Sequence, residues 1–185
     1  IGMGPKTVQF EKDFSQYTSS KNSIGVSSCT EAIQLALMVS NVSGTEVIVP
    51  SMTFAATAHA VVLSGATPIF VDCDYDTFCI DLNDVKDKIS PRTSAIIPVH
   101  YGGHPCDMEG LLKLAKENNL IVIEDVAHAL GATINSRKVG TFGNFGAFSF
   151  QATKSMTTGE GGMITTDNDV HASKLKELRW FGINK

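Results

Sequence analysis

The chain has 185 residues, 43% hydrophobic and 18% charged, an ordinary globular composition that can bury one sizeable core and reads as one domain. Its 15 basic against 19 acidic residues leave a formal charge of -4, which argues against a nucleic-acid surface, where Lys and Arg are in excess. No uncharged apolar run approaches the roughly 18 residues of a membrane helix, so no membrane partner is expected.

The opening Ile1-Gly2-Met3-Gly4-Pro5 carries neither the charged nor the apolar region of a signal peptide. From there strands and helices alternate. Residues 23–27 (SIGVS) are short and β-like, and residues 30–40 (TEAIQLALMVS) place apolar side chains at helical spacing. A strand is predicted at 46–50 (EVIVP), a helix at 54–63 (FAATAHAVVL) closed by Ser64-Gly65, and a strand at 67–72 (TPIFVD). A short polar-faced helix at 82–89 follows, then a strand at 95–99 (AIIPV), a helix at 108–118 and a strand at 120–125 (LIVIED). After Gly140 the rhythm shortens to β-like pieces at 147–150 (AFSF) and 162–166 (GMITT), before a helical stretch over 170–181. Strands that are apolar throughout belong to a sheet covered on both faces, and strand–helix alternation makes the strands parallel. The predicted class is α/β, a three-layer α/β/α arrangement with a mostly parallel sheet. The chain stops at Arg179-Trp180-Phe181-Gly182-Ile183-Asn184-Lys185, directly after a helix-like stretch, and both ends read as cut from a longer protein.

The cysteines Cys29, Cys73, Cys79 and Cys106 are widely spaced and form no CxxC, which reads as four reduced thiols in a cytosolic protein, with no metal site.

Ligands of open α/β sheets sit beyond the carboxyl ends of the strands, which directs attention to residues 27–30, 50–54, 100–103 and 125–128. Ser27-Ser28-Cys29-Thr30 joins a strand to a helix. Hydroxylic residues there leave backbone N–H groups free for an anion, phosphate above all, although Ser28 or Thr30 read alone is simply an N-cap. Asp125 ends its strand at the active edge, while Glu124 faces the other way. Read alone, Asp125 is equally a capping or ion-paired residue. His128 lies three residues on, close enough to share the site if the chain turns. Phe54 follows a strand end, where an aromatic can stack on a planar ligand; a core Phe is the ordinary reading.

Ser149-Phe150-Gln151-Ala152-Thr153-Lys154 precedes a segment in which Gly159, Gly161 and Gly162 require close or unusual backbone geometry. A lysine before such a segment is ordinarily a solvated surface residue, but its place between a hydrophobic β segment and a glycine turn favours a held, partly desolvated amine, the kind that forms imines.

With these segments in view, the chain resembles the DegT/DnrJ/EryC1/StrS family of pyridoxal-phosphate (PLP) dependent sugar aminotransferases, of fold type I. The segments GPKTVQFEKDF, SSCTEAIQLAL, EVIVPSMTFAATAHAV, GATPIFVDCD, AIIPVHYGGHPCDM, IVIEDVAHALGA, VGTFGNFGAFSFQATKSMTTGEGGMI and LRWFGINK carry the resemblance in family order over essentially the whole chain. It implies that residues 1–185 are the PLP-binding large domain, without the family's early N-terminal segment and C-terminal small domain. It implies PLP as cofactor, with Lys154 forming the internal aldimine and acting as the catalytic base and acid. Asp125 would pair with the pyridinium nitrogen, His128 would contact the 3-hydroxyl region, and Phe54 would stack on the ring. Ser28, Cys29 and Thr30 would surround the phosphate, helped by Ser149; His100 receives no firm role.

The implied reaction moves an amino group, with glutamate as donor, to a nucleotide-linked keto-sugar, in a cytoplasmic homodimer whose active site borrows residues from the partner. Two departures from the family pattern stand out: Cys29 occupies a position more usually Gly, and His128 one often Gln. Two other readings remain open here. A PLP-dependent sugar dehydratase relative would carry His in place of Lys154, and a non-catalytic PLP-binding regulatory relative would have no need of an intact Lys154 and Asp125.

Overall fold

The computed structural model describes residues 3–183; the outermost residues of both sequence ends, including the close of LRWFGINK, lie outside the described residues. The elements in chain order are α1 (Pro5–Thr18), β1 (Asn22–Val26), α2 (Cys29–Val39), β2 (Glu46–Pro50), α3 (Ala55–Leu63), β3 (Thr67–Val71), α4 (Leu82–Lys88), β4 (Thr93–Ile96), α5 (Met108–Glu117), β5 (Ile121–Asp125), β6 (Thr133–Ile134), β7 (Arg137–Lys138), β8 (Phe145–Ser149), β9 (Gly162–Thr166) and α6 (Asp169–Leu178).

Seven strands form one sheet in the order β1-β9-β8-β5-β4-β2-β3, and β6 and β7 make a separate small hairpin. From β3 to β8 every neighbouring pair is parallel, whereas β9 is antiparallel to both β8 and β1. β9 is therefore the one reversed strand of the sheet, and the expected mostly parallel architecture is what the chain adopts.

Both faces are covered, which explains strands without polar alternation: every residue of β2, β8 and β9 is buried. Val47, Val49, Ala95, Ile123, Ala147 and Ile164 pack with residues of α2, α3 and α6 on one face. Their sequence neighbours Ile48, Ile96 and Val122 point to the opposite face and pack with Val85 of α4 and Met108, Leu111 and Ala115 of α5. On that second face Phe14 of α1 wedges edge-on against Phe148 and Phe150, with ring centroids 5.0 and 5.6 Å away. These are favourable aromatic geometries, and they dock the α1 helix on the β8–β9 end of the sheet.

Several boundaries differ from the sequence reading. The strand expected at 95–99 is laddered only over Thr93–Ile96, because Pro98 has no N–H to give. The chain nevertheless stays extended: Asp125 N–H donates to Pro98 O at 2.9 Å and His100 N–H to Asp125 O at 3.1 Å. The strand expected at 147–150 begins two residues earlier, and Phe54 caps α3 instead of lying in it.

Candidate active site

The site is built at the carboxyl edge of the sheet, on the face that α2 and α3 cover. Ser28 caps α2, its hydroxyl accepting the Glu31 N–H at 3.1 Å, while Glu31 reaches back to the Ser27 N–H at 2.6 Å. This reciprocal capping fixes the first turn. It leaves the Cys29 and Thr30 N–H groups, at the positive end of the helix, without intrahelical partners. Gly162 lies against this turn: a Cβ there would stand 2.4 Å from the Ser28 carbonyl carbon and 2.8 Å from the Cys29 nitrogen. Only glycine lets β9 approach the helix start this closely. Ser149 pairs with Gly162 across β8 and β9, so Ser28 and Ser149 flank the same glycine. The Ser149 hydroxyl accepts the Gln151 N–H at 3.4 Å.

Asp125 closes β5 and is buried. Its Oδ1 accepts the Ala127 N–H at 3.1 Å and the Cys29 thiol at 3.7 Å, and its Oδ2 accepts the Thr57 hydroxyl at 3.0 Å. Burial pushes the Cys29 thiol pKa well above its ordinary value, the Asp125 charge and hydrogen bond push it further, and the Lys154 ammonium pulls it partly back. Lys154 is thus within electrostatic reach of the pair that Cys29 forms with Asp125.

Lys154 is half-buried in a turn after β8, its N–H donating to Gln151 O at 2.9 Å. The Gln151 side chain braces that turn by accepting from the Thr153 N–H and hydroxyl at 2.8 and 2.6 Å. The base of the loop is closed where Phe150 N–H donates to Gly161 O and Thr158 N–H donates to Phe150 O, both at 2.9 Å. Gly159 and Gly161 take φ of 84° and 158°, which explains their residue type. Among the described residues, no hydrogen bond or ion pair engages Lys154 Nζ.

Cys29 and Thr57 are thus both in direct contact with Asp125, the Lys154 charge reaches Cys29, and Ser28 and Ser149 meet around Gly162. Phe54 stands at the rim as the N-cap of α3 and is 78% exposed. His128 is also exposed and lies edge-on to Tyr101, ring centroids 5.8 Å apart. The sequence reading did not single out Thr57 or its neighbour Thr53, although two threonines four apart at a helix start do face one way. It also left His100 without a role; His100 and Glu124 form a fully buried pair on the opposite side of β5. An open cavity of about 510 Å³, lined by Phe10, Ser27, Glu31, Gly161, Arg179 and Trp180, adjoins the glycine segment.

This geometry can be set beside known proteins. The model of the DegT/DnrJ/EryC1/StrS aminotransferase family matches residues 1–185. The chain belongs to this family. GDP-perosamine synthase of Caulobacter vibrioides is 46% identical over 98% of this chain and 49% of its own length. The crystal structure of S. venezuelae DesV, in complex with a ketimine intermediate, superposes with a TM-score of 0.96 at 39% identity, covering 99% of this chain and 50% of that one. NtdA of Bacillus subtilis, with bound cofactor PMP, superposes with a TM-score of 0.94 at 36% identity over 98% of this chain and 41% of that one. The chain spans about half the length of the curated relatives it matches. The family's fold, a fold type I large domain, is therefore the fold of this chain.

Proposed function

We propose that the full-length protein is a PLP-dependent aminotransferase that moves an amino group from glutamate to a nucleotide-linked keto-sugar, and that residues 1–185 are its cofactor-binding large domain. One observation carries the reading. A buried carboxylate with an accepting position to spare, a lysine amine with no partner among the described residues, and a capped helix start on which a glycine packs closely meet at one sheet edge. PMP in a structural neighbour and GDP-perosamine synthase among the relatives support the cofactor and the sugar.

The residues fit PLP part by part. The Cys29 and Thr30 amides would hold the phosphate at the helix end, with the Ser28 and Ser149 hydroxyls beside it. Asp125 would accept the ring N–H, Phe54 would cover one ring face, and His128 would border the 3-hydroxyl. PLP, when bound, supplies an electron sink for carbanion chemistry. Lys154 Nζ would tether the cofactor and, once released by the incoming amine, would take a proton from the substrate carbon and return it to the cofactor carbon. Retention of Lys154 favours amino transfer over the dehydratase reading, and retention with Asp125 favours catalysis over a regulatory role. A cytoplasmic homodimer completing each site from its partner belongs to the same proposal.

The absorption spectrum of the full-length protein tests it. PLP colour that glutamate bleaches, with the absorbance of the aminated cofactor appearing, is the expected result, followed by reversal on adding a nucleotide-linked keto-sugar. Colour that persists under every amino donor would overturn it.

A further inference from the structure

Thr57 is almost completely buried on α3. Its Oγ1 lies 3.0 Å from Asp125 Oδ2 and 2.7 Å from Thr53 Oγ1. A carboxylate only accepts, so the Thr57 proton is committed to Asp125. The Thr57 oxygen must then take its second hydrogen bond from Thr53, which fixes the direction of the chain: Thr53 donates to Thr57, and Thr57 donates to Asp125. Each donor polarises the next, and the last bond ends on a charge.

A carboxylate offers about four in-plane accepting positions, two per oxygen. On Asp125 both Oδ1 positions are filled, by the Ala127 N–H and the Cys29 thiol, and one Oδ2 position is filled by Thr57. The three donors come from three separate places: the turn after β5, the first residue of α2, and α3. Rotating the carboxylate would break all three contacts together. The single remaining position on Oδ2 is therefore held at a fixed point of the site.

We infer that Thr57, oriented by Thr53, is a positioning residue that holds Asp125 so that one Oδ2 lone pair is presented to the ring nitrogen of the cofactor. This rests on the PLP reading above. The two threonines bracket Phe54, so the segment expected to cover the ring and the carboxylate expected to bind its nitrogen are joined by one hydrogen-bond chain. A valine at 57 has the same shape and would fill the same place in the core beside Ala60 and Val61, but would give Asp125 no proton.

The test uses full-length protein stripped of cofactor and titrated with PLP, read by absorbance across pH. Thr57→Val is expected to weaken PLP retention about tenfold, the scale of one hydrogen bond to a charged group, and to shift the pH midpoint of the bound-cofactor absorbance. Thr57→Ser, which restores the hydroxyl, is expected to recover both. A role confined to packing would lower the melting temperature alone and would be served as well by Val. Wild-type retention and an unchanged absorbance profile in Thr57→Val would overturn the inference, as would equal loss in the Ser and Val variants. Should Thr57→Val fail to fold, Thr53→Val removes only the outer donor and is expected to weaken retention about twofold; no change there overturns the directed chain. Wild-type protein that binds no PLP would refute the cofactor reading itself, a result distinct from PLP binding that ignores residue 57.

Discussion

His100 Nε2 lies 3.1 Å from Glu124 Oε2, and neither side chain reaches solvent. His100 Nδ1 accepts the Cys106 N–H at 3.1 Å, so the hydrogen-bond network places the ring proton on Nε2, where it is donated to Glu124. Glu124 also accepts the N–H groups of Gly140, Phe142 and Gly143 at 2.6, 2.7 and 2.7 Å. One residue before Asp125, and on the other face of the same strand, a carboxylate thus ties the end of β5 to the turn leading into β8.

Removing that carboxylate leaves the His100 and Gly140 donors buried without a partner and frees the half-buried Phe142 and Gly143 N–H groups. Glu124→Ala is expected to cost about 3–5 kcal/mol, the usual consequence of breaking a buried charged network from one side. Urea denaturation of the variant against wild type measures it. A loss within 1 kcal/mol, on the order of an ordinary surface substitution, would show that the turn is held by other means.

Borohydride reduction of the cofactor-loaded full-length protein, followed by peptide mapping, is expected to leave the pyridoxyl group on Lys154. Lys154→Ala is expected to lose about 10²- to 10⁴-fold in amino-transfer rate, the range for a positioned acid–base group. A label on another lysine would move the tether elsewhere.

Two glycines of the lysine loop should respond differently to alanine. At 162 the added Cβ meets the Ser28 backbone at 2.4 Å, so Gly162→Ala should cost about 1–3 kcal/mol and also weaken PLP retention. At 159 nothing lies within 4 Å, but φ is 84°, so Gly159→Ala should cost about 1 kcal/mol in backbone strain while retention holds. Thermal melts with and without PLP separate the two effects.

Cys29 should remain a thiol at mildly alkaline pH, since burial and the neighbouring Asp125 charge both raise its pKa. Iodoacetamide at pH 8, followed by mass mapping, should modify the half-buried Cys73 well before Cys29. Comparable labelling rates would show that the Cys29–Asp125 contact opens readily.

Acid stability should report on Glu46, at the start of β2. The Ser90 hydroxyl and then the Arg92 guanidinium hold its carboxyl below the ordinary glutamate value of 4.5. A lowered folded-state pKa contributes stability that is fully present above 4.5 and disappears as pH falls through the folded value. The melting temperature of wild type should therefore drop more steeply below about pH 4.5 than that of Glu46→Gln. Parallel curves would remove Glu46 from the acid transition.

Much of this architecture is readable because burial on two faces writes unbroken apolar runs, which mark 46–50 and 120–125 as strands. The α1 helix is not legible in the sequence, because PKTVQFEKDFSQYT is mostly polar and only Phe10 and Phe14 among its apolar residues join the core; Pro5 at its first turn is the available cue. The β6–β7 hairpin was hidden by its turn, Asn135-Ser136, both at positive φ, where Asn-Gly would have announced it. Within the candidate site, strand ends and the glycine segment draw attention to Asp125 and Lys154. Thr57 draws none, since one hydroxyl in an apolar helix carries no period, and its significance depends on contact with a strand 68 residues away. Alternation along β5 turns Glu124 away from Asp125, but its partners, His100 before it and residues 140–143 after it, are linked to it by no local pattern.

The reversed direction of β9 bears on how the site comes into being. β8 and β9 are joined by residues 150–161, a far smaller separation than that between β1 and β9, so the lysine turn closes at the lower entropic cost. β1 pairs with β9 across the longest separation in the sheet, Asn22 opposite Thr166, and it is this pairing that carries the start of α2 onto Gly162. A partly folded chain that had formed β8 and β9 but not yet captured β1 would possess the lysine and lack the helix end. Cofactor phosphate would then find no purchase before the most distant strands had met, so the ligand would stabilise only the finished domain and would act late in folding, as a clasp on its slowest closure.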